Sequence, residues 1–220
     1  MIKCVLFDLD GTLLSTLETI TYHLNGALVS HGLTRITVED TRKFIGNGAK
    51  MLVTRAVSLS GVEDDSVINA VLSNYNYAYD IDPLPCTEPY EGITTLVDRL
   101  YADGFKLGVV TNKPEPTAKK LIEHFFGEKI SCVSGGRSGI ILKPDPGESL
   151  RVIADMGLNA SMCAFVGDTS VDICTGKNMG AALSIGVTWG FRDRDELALS
   201  GADFLVDDAE SLYQTLRNGQ

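Results

Sequence analysis

The chain has 220 residues, of which 44% are hydrophobic and 22% charged, and a formal net charge of −10 at pH 7. Such an acidic balance argues against a nucleic-acid phosphate track and against an anionic membrane surface, so neither partner is expected. The length suits one large domain or one domain with an insertion, and the apolar fraction can fill a sizeable core. The five cysteines (Cys4, Cys86, Cys132, Cys163, Cys174) have no close metal-type spacing. Their odd number and apolar surroundings suggest reduced thiols and a cytoplasmic setting. The first apolar stretch stops at Asp8, too short for a signal peptide or a membrane span.

That stretch, Lys3-Cys4-Val5-Leu6-Phe7-Asp8-Leu9-Asp10-Gly11-Thr12, reads as a buried strand closed by an acidic pair. Period-two geometry puts Asp8 and Asp10 on one side, and Gly11 allows a sharp turn after them. Two adjacent carboxylates repel, so one tends to neutralise unless a cation offsets the charge. A hard, oxygen-preferring divalent ion such as magnesium suits carboxylate and carbonyl ligands.

Residues 15–87 read as all-helical. Ser15 and Glu18 fit a capping box, with Leu17, Ile20, Leu24, Ala27 and Leu28 along one face. Further helices are expected near Thr37, after Gly48 and near Asp64, the last carrying Ile68, Val71, Leu72, Tyr75 and Tyr79. The proline-containing segment 82–89 interrupts helix and reads as the return hinge. From residue 88 onward, apolar runs at 105–111, 130–134, 162–166, 181–187 and 203–206 alternate with helix-period segments. This predicts an α/β fold: a Rossmann-like, doubly wound parallel sheet formed by residues 1–14 and 88–220, with a small helical cap at 15–87 inserted after the first strand. Ligands of such sheets bind at the carboxyl ends of the strands.

Three later strand ends carry polar groups. Val110-Thr111-Asn112-Lys113-Pro114 offers a hydroxyl, an amide and backbone N–H groups for an anion. In Lys143-Pro144-Asp145-Pro146, a lysine in a proline-stiffened turn could neutralise a carboxylate and a phosphoryl oxygen together. Gly167-Asp168-Thr169-Ser170-Val171-Asp172 places one acid at a strand tip and a second one helical turn on. Each alone reads as an ordinary helix cap or turn. Four such signals in this order at strand ends do not.

Together these motifs resemble the haloacid dehalogenase superfamily of phosphohydrolases, over almost the whole chain. The resemblance implies that Asp8 is the nucleophile forming an aspartyl-phosphate, and that Asp10 is the general acid and then base. It implies Mg2+ on Asp8, the Asp10 backbone carbonyl and Asp168, with Asp172 in support. Thr111 and Asn112 would hold phosphoryl oxygens, and Lys143 would balance the charge on Asp8 and touch the phosphate. Within the superfamily the phosphoglycolate phosphatase branch is most similar, through the cap segment Phe44-Ile45-Gly46-Asn47-Gly48-Ala49-Lys50 and through Gly186-Val187-Thr188-Trp189-Gly190-Phe191. Gly46, Asn47 and Gly48 are then candidate substrate contacts, with Lys50 and Arg137 as possible added charge; Trp189 reads as packing. The related phosphoglucomutases carry a cap histidine where this chain has Ile20, and His23 reads as packing or solvent-facing. The resemblance implies a small phosphorylated metabolite as partner, with 2-phosphoglycolate first among the candidates, and the expected state is a monomer or homodimer. A pyrophosphatase, a nucleotide or sugar-phosphate phosphatase, and a non-catalytic phosphate-binding regulator remain open.

Overall fold

Every residue of β1 (Cys4–Phe7) is buried. Val5 and Phe7 enter one apolar cluster while Cys4 and Leu6 enter another, so both faces of the strand are covered, as a central parallel strand requires. The computed structural model, which describes residues 1–219, shows why. β1 is followed by β2 (Leu14–Ser15), α1 (Leu17–Ser30), α2 (Val38–Phe44), α3 (Gly48–Ser58), α4 (Asp65–Ile81) and β3 (Glu88–Pro89). The remainder alternates: α5 (Ile93–Ala102), β4 (Lys106–Pro114), α6 (Glu115–Phe126), β5 (Cys132–Gly136), α7 (Gly147–Asp155), β6 (Cys163–Gly167), α8 (Ser170–Met179), β7 (Leu183–Val187), α9 (Arg194–Leu199), β8 (Phe204–Val206) and α10 (Ala209–Asn218). Six parallel strands pair in the order β5-β4-β1-β6-β7-β8. The order reverses at β1, and the crevice at such a reversal lies between the ends of β1, β4 and β6.

The four helices α1 to α4 have their own apolar core, formed by Ile20, Leu24, Leu28, Leu52, Val53, Val71, Tyr75 and Tyr79 among others. Thr37 and Asp40 make the capping box of α2, and Asp64 caps α4 by accepting from Ser66 N. One expectation fails in detail. Ser15 does not cap α1: it lies in β2, and the cap position belongs to Thr16, whose side chain makes no capping bond. Leu14 and Ser15 instead pair antiparallel with Pro89 and Glu88, so both chain crossings between core and helices run through one short ribbon. Ladder pairing has overridden the local capping preference. The return segment is further tied to α1, since the Thr19 hydroxyl donates to the Pro85 carbonyl and His23 Nε2 lies 2.8 Å from the Asp82 carbonyl. His23 is thus buried and packed.

Helix α8 lies unusually close to the sheet. A Cβ at Gly176 would sit 1.9 Å from Ser184 Oγ and 3.0 Å from Phe165 Cβ, and Ser184 is buried with its hydroxyl donating to the Ile173 carbonyl at 3.1 Å. In Gly176→Ala the helix gains about 1 kcal/mol of propensity, while overpacking costs about 1–3 kcal/mol. The expected outcome is a melting temperature lowered by a few degrees in calorimetry; an unchanged or raised value would mean that α8 shifts without penalty.

Candidate active site

Asp8 extends the β1 ladder by donating its N–H to the Val166 carbonyl at 2.9 Å, which fixes its side chain at the sheet's centre. Gly11 follows in the left-handed region (φ 86°), and a Cβ there would lie 2.3 Å from an oxygen of Asp168. Only glycine lets the turn after β1 pass so close to the tip of β6. Asp168 is fully buried: Thr12 Oγ1 donates to Oδ1 at 2.8 Å and Phe191 N–H donates to Oδ2 at 2.8 Å. Thr169 caps α8 in a capping box with Asp172, whose Oδ2 accepts from Thr169 N at 3.0 Å and from Thr169 Oγ1 at 2.7 Å. The other oxygen of Asp172 meets Lys143 Nζ at 2.7 Å, and the same ammonium lies 2.8 Å from Asp8 Oδ1. Capping and site chemistry are therefore served by one carboxylate.

Asp8, Asp168 and Asp172 each bring an oxygen within 4.8 Å of the others, all buried. Burial pushes the Asp8 carboxyl up to about 6, with Lys143 opposing and Asp172 adding to the rise. Burial, then the charges of Asp172 and Asp8, raises Asp168 as well. For Lys143, burial works against the charge, but Asp172 and Asp8 outweigh it and its pKa is raised. One lysine faces three acids, and a set of hard oxygen donors this close suits a divalent cation.

Asp10 turns to a different partner. Lys113 Nζ lies 2.9 and 3.3 Å from its two carboxylate oxygens, and donates also to the Tyr79 hydroxyl on α4 at 2.7 Å. Burial lowers the Lys113 pKa, against the pull of Asp10. No role was expected of Lys113; the sequence signal was an unexplained lysine between Asn112 and Pro114 at an apolar strand's end. Thr111 is buried, its Oγ1 accepting from Lys113 N at 3.2 Å. Asn112 Nδ2 donates to the Lys143 and Gly46 carbonyls, both at 3.1 Å, while its Oδ1 accepts from Lys143 N at 2.8 Å. Neither residue caps α6, whose cap position is Pro114.

A cavity of about 50 Å³ is lined by Asp8, Asp10, Thr111, Asn112, Lys113, Lys143, Thr169 and Asp172 on the core side. Gly46, Gly48 and an apolar wall including Ile20, Leu52 and Tyr75 face them from the helical side. Asn47, Lys50 and Arg137 do not line it. Asn47 Oδ1 accepts from Arg55 at 2.9 Å, Lys50 is exposed, and Arg137 bridges Glu115 at 2.6 Å and Glu148 at 2.8 Å.

Residues 5–185 match the family model described as haloacid dehalogenase-like hydrolase. The chain belongs to the haloacid dehalogenase-like hydrolases. Among its curated relatives, a phosphoglycolate phosphatase from Rhodospirillum rubrum is 34% identical over 218 residues, covering 96% of this chain and 90% of that one. Another, from Haemophilus influenzae, is 29% identical and covers 97% and 98% respectively. Among solved structures, a predicted phosphoglycolate phosphatase from Haemophilus somnus superposes with a TM-score of 0.90 at 27% identity, over 97% of each chain.

In this hydrolase the helical unit is docked on the core. Arg42 Nη1 donates to the Gly190 carbonyl at 3.2 Å, and Arg192 returns the contact to the Arg42 and Ile45 carbonyls at 2.6 and 2.8 Å. Phe191, between them, is buried in the helical unit's core.

The raised Asp8 value has a consequence for stability. Between its ordinary value of 3.8 and about 6, the folded chain holds more protons at this carboxyl than the unfolded chain. Metal-free protein is therefore expected to lose stability as pH rises through that window, by on the order of 3 kcal/mol from this group alone. Added divalent cation should stabilise increasingly over the same interval. Thermal melts from pH 4 to 7 with a chelator and with cation test this; curves equally separated at every pH would exclude the carboxylate cluster as the cause.

Proposed function

We propose that this hydrolase is a magnesium-dependent phosphatase of small phosphate monoesters, with 2-phosphoglycolate as its substrate, acting through an aspartyl-phosphate on Asp8. The observation that carries the reading is Asp8 itself: a buried carboxylate at a central strand end, 2.8 Å from Lys143 and grouped with Asp168 and Asp172. The phosphoglycolate phosphatases related over nearly the full chain support the substrate.

Magnesium would be held by Asp8, Asp168 and the Asp10 backbone carbonyl with Asp172 in support, and would supply charge neutralisation at the phosphoryl oxygens. Lys143, already on Asp8, adds a second positive charge there. A carboxylate oxygen of Asp8 attacks phosphorus; the ester P–O bond breaks, and its electron pair leaves on the alkoxide, which takes a proton from Asp10. Water then attacks phosphorus of the acyl phosphate, Asp10 accepts a proton from it, and Asp8 is regenerated as phosphate departs. Thr111 and Asn112 hold phosphoryl oxygens, Asn112 by giving up the Gly46 carbonyl it now binds. From the cap loop, substrate contact falls to Gly46 and Gly48, because Asn47 is held by Arg55. The unpaired cysteines suit a cytoplasmic enzyme.

Phosphate release with magnesium from 2-phosphoglycolate, pyrophosphate, glucose 1-phosphate, a nucleoside monophosphate and an aryl phosphate tests the reading. Preference for 2-phosphoglycolate, abolished in Asp8→Asn, is expected. Turnover of another ester alone would keep the mechanism and discard the substrate, and no release from any ester would favour a phosphate-binding regulator.

In the same reading, residues 15–87 are a cap that opens and closes on the β2–β3 ribbon, sheltering the reaction from bulk water. Orthovanadate with magnesium is then expected to give a more compact small-angle scattering profile than the free protein. Superimposable profiles would count against a moving cap.

A further inference from the structure

If the chain is a phosphatase, its pocket also indicates what the rest of the substrate carries. Among the described residues lining the cavity, the cationic side chains are Lys113 and Lys143. Lys143 is engaged by Asp8 and Asp172 at 2.8 and 2.7 Å, at the phosphoryl end. The facing wall, with Ile20, Ile45, Leu52, Tyr75 and Phe191, offers an anion no counter-charge. A second anionic group held there would lack a counter-charge unless it reached Lys113.

Lys113 is built to receive one. Its side chain is 2% exposed, and its ammonium divides its contacts between Asp10, across an ion pair, and the Tyr79 hydroxyl. Tyr79 is itself fixed: its ring stacks on His23 with centroids 5.0 Å apart, and packs edgewise on Tyr75 at 5.7 Å. His23 is in turn held at the Asp82 carbonyl. The ammonium therefore keeps one partner, and its place at the cavity, when the other is exchanged.

We propose that Lys113, steadied by Tyr79, is the receptor for a second anionic group on the substrate, a carboxylate that replaces Asp10 on its ammonium. The exchange is non-covalent. It releases the Asp10 side chain toward the leaving oxygen only when an acidic substrate is present, so recognition of the tail and placement of the acid become one event. A neutral or cationic tail leaves Asp10 on Lys113.

The test compares 2-phosphoglycolate with ethyl phosphate, which has the same linkage and an uncharged tail. In Lys113→Met the ratio of kcat/KM for the acidic over the neutral ester should fall by at least about 30-fold, as expected for truncating one partner of a buried charge pair. Tyr79→Phe, which removes one oxygen and leaves the ion pair, should lower the same ratio by a smaller factor. A ratio unchanged in both variants, with the two esters losing rate together, would overturn the proposal and leave Lys113 as a support for Asp10 alone. Calorimetry with non-hydrolysable analogues gives a readout independent of turnover. Wild-type protein with magnesium should bind 3-phosphonopropionate more tightly than propylphosphonate, and Lys113→Met should erase that preference. If no ester is hydrolysed and the preference still depends on Lys113, the anion receptor stands and the phosphatase reading falls. If esters are hydrolysed and no preference exists, the receptor falls and the phosphatase reading stands.

Discussion

Three carboxylates that cannot move apart govern this molecule. Asp8 and Asp168 are anchored at the tips of adjacent parallel strands, and Asp172 is anchored by the cap of the helix that follows. Asp8 and Asp168 are set by backbone pairing in a buried ladder, and Asp172 by its capping bonds to Thr169, so little adjustment is left to relieve their repulsion. What relieves it is placed around them: Lys143 between Asp8 and Asp172, and the Thr12 hydroxyl and Phe191 N–H on Asp168. Most of the local sequence answers to that one electrostatic problem. Hard oxygen donors held this close also suit a divalent cation.

Phe191 shows how the problem is shared between the two halves of the fold. Its backbone N–H holds a carboxylate of the core, while its side chain is buried among the cap helices. Arg42 and Arg192 exchange hydrogen bonds on either side of it. Movement of the helical unit would therefore pull on the segment that orients Asp168. The helical unit and the acidic cluster are thus joined through one short stretch of chain as well as through the side chains at the end of β4.

Much of this was legible in the sequence because strand ends in a parallel sheet are read from composition alone. The runs ending at Asp8, Thr111 and Asp168 are apolar on both faces, and polar residues appear abruptly where they stop. The cap helices near Thr37 and Asp64 were equally plain, since their first turns carry real capping groups. The failures share a cause. Ser15 has every local feature of a cap and is taken into a two-residue strand by a partner more than seventy residues away. Lys113 carried no expectation, and is buried because Asp10 and Tyr79, from two distant segments, converge on it. Periodicity and spacing report on neighbours along the chain, and neither of these contacts is local.

The end of β4 is where the non-local contacts concentrate, and its irregularity has a purpose in the geometry. Pairing with β5 is regular through Val110, then slips before resuming at Pro114. In a regular strand Asn112 and Lys113 would point to opposite faces, one of them away from the cavity. The slip lets both line it, Asn112 reaching the Lys143 turn and Gly46, Lys113 reaching Asp10 and Tyr79. Each side chain thus holds one group of the core and one of the cap. A ligand that draws Asn112 onto itself must break its contact with Gly46 across the interface, whereas one that takes the place of Asp10 on Lys113 leaves the Tyr79 contact intact. Ligand and helical unit thus compete directly for Asn112, while Lys113 can serve both.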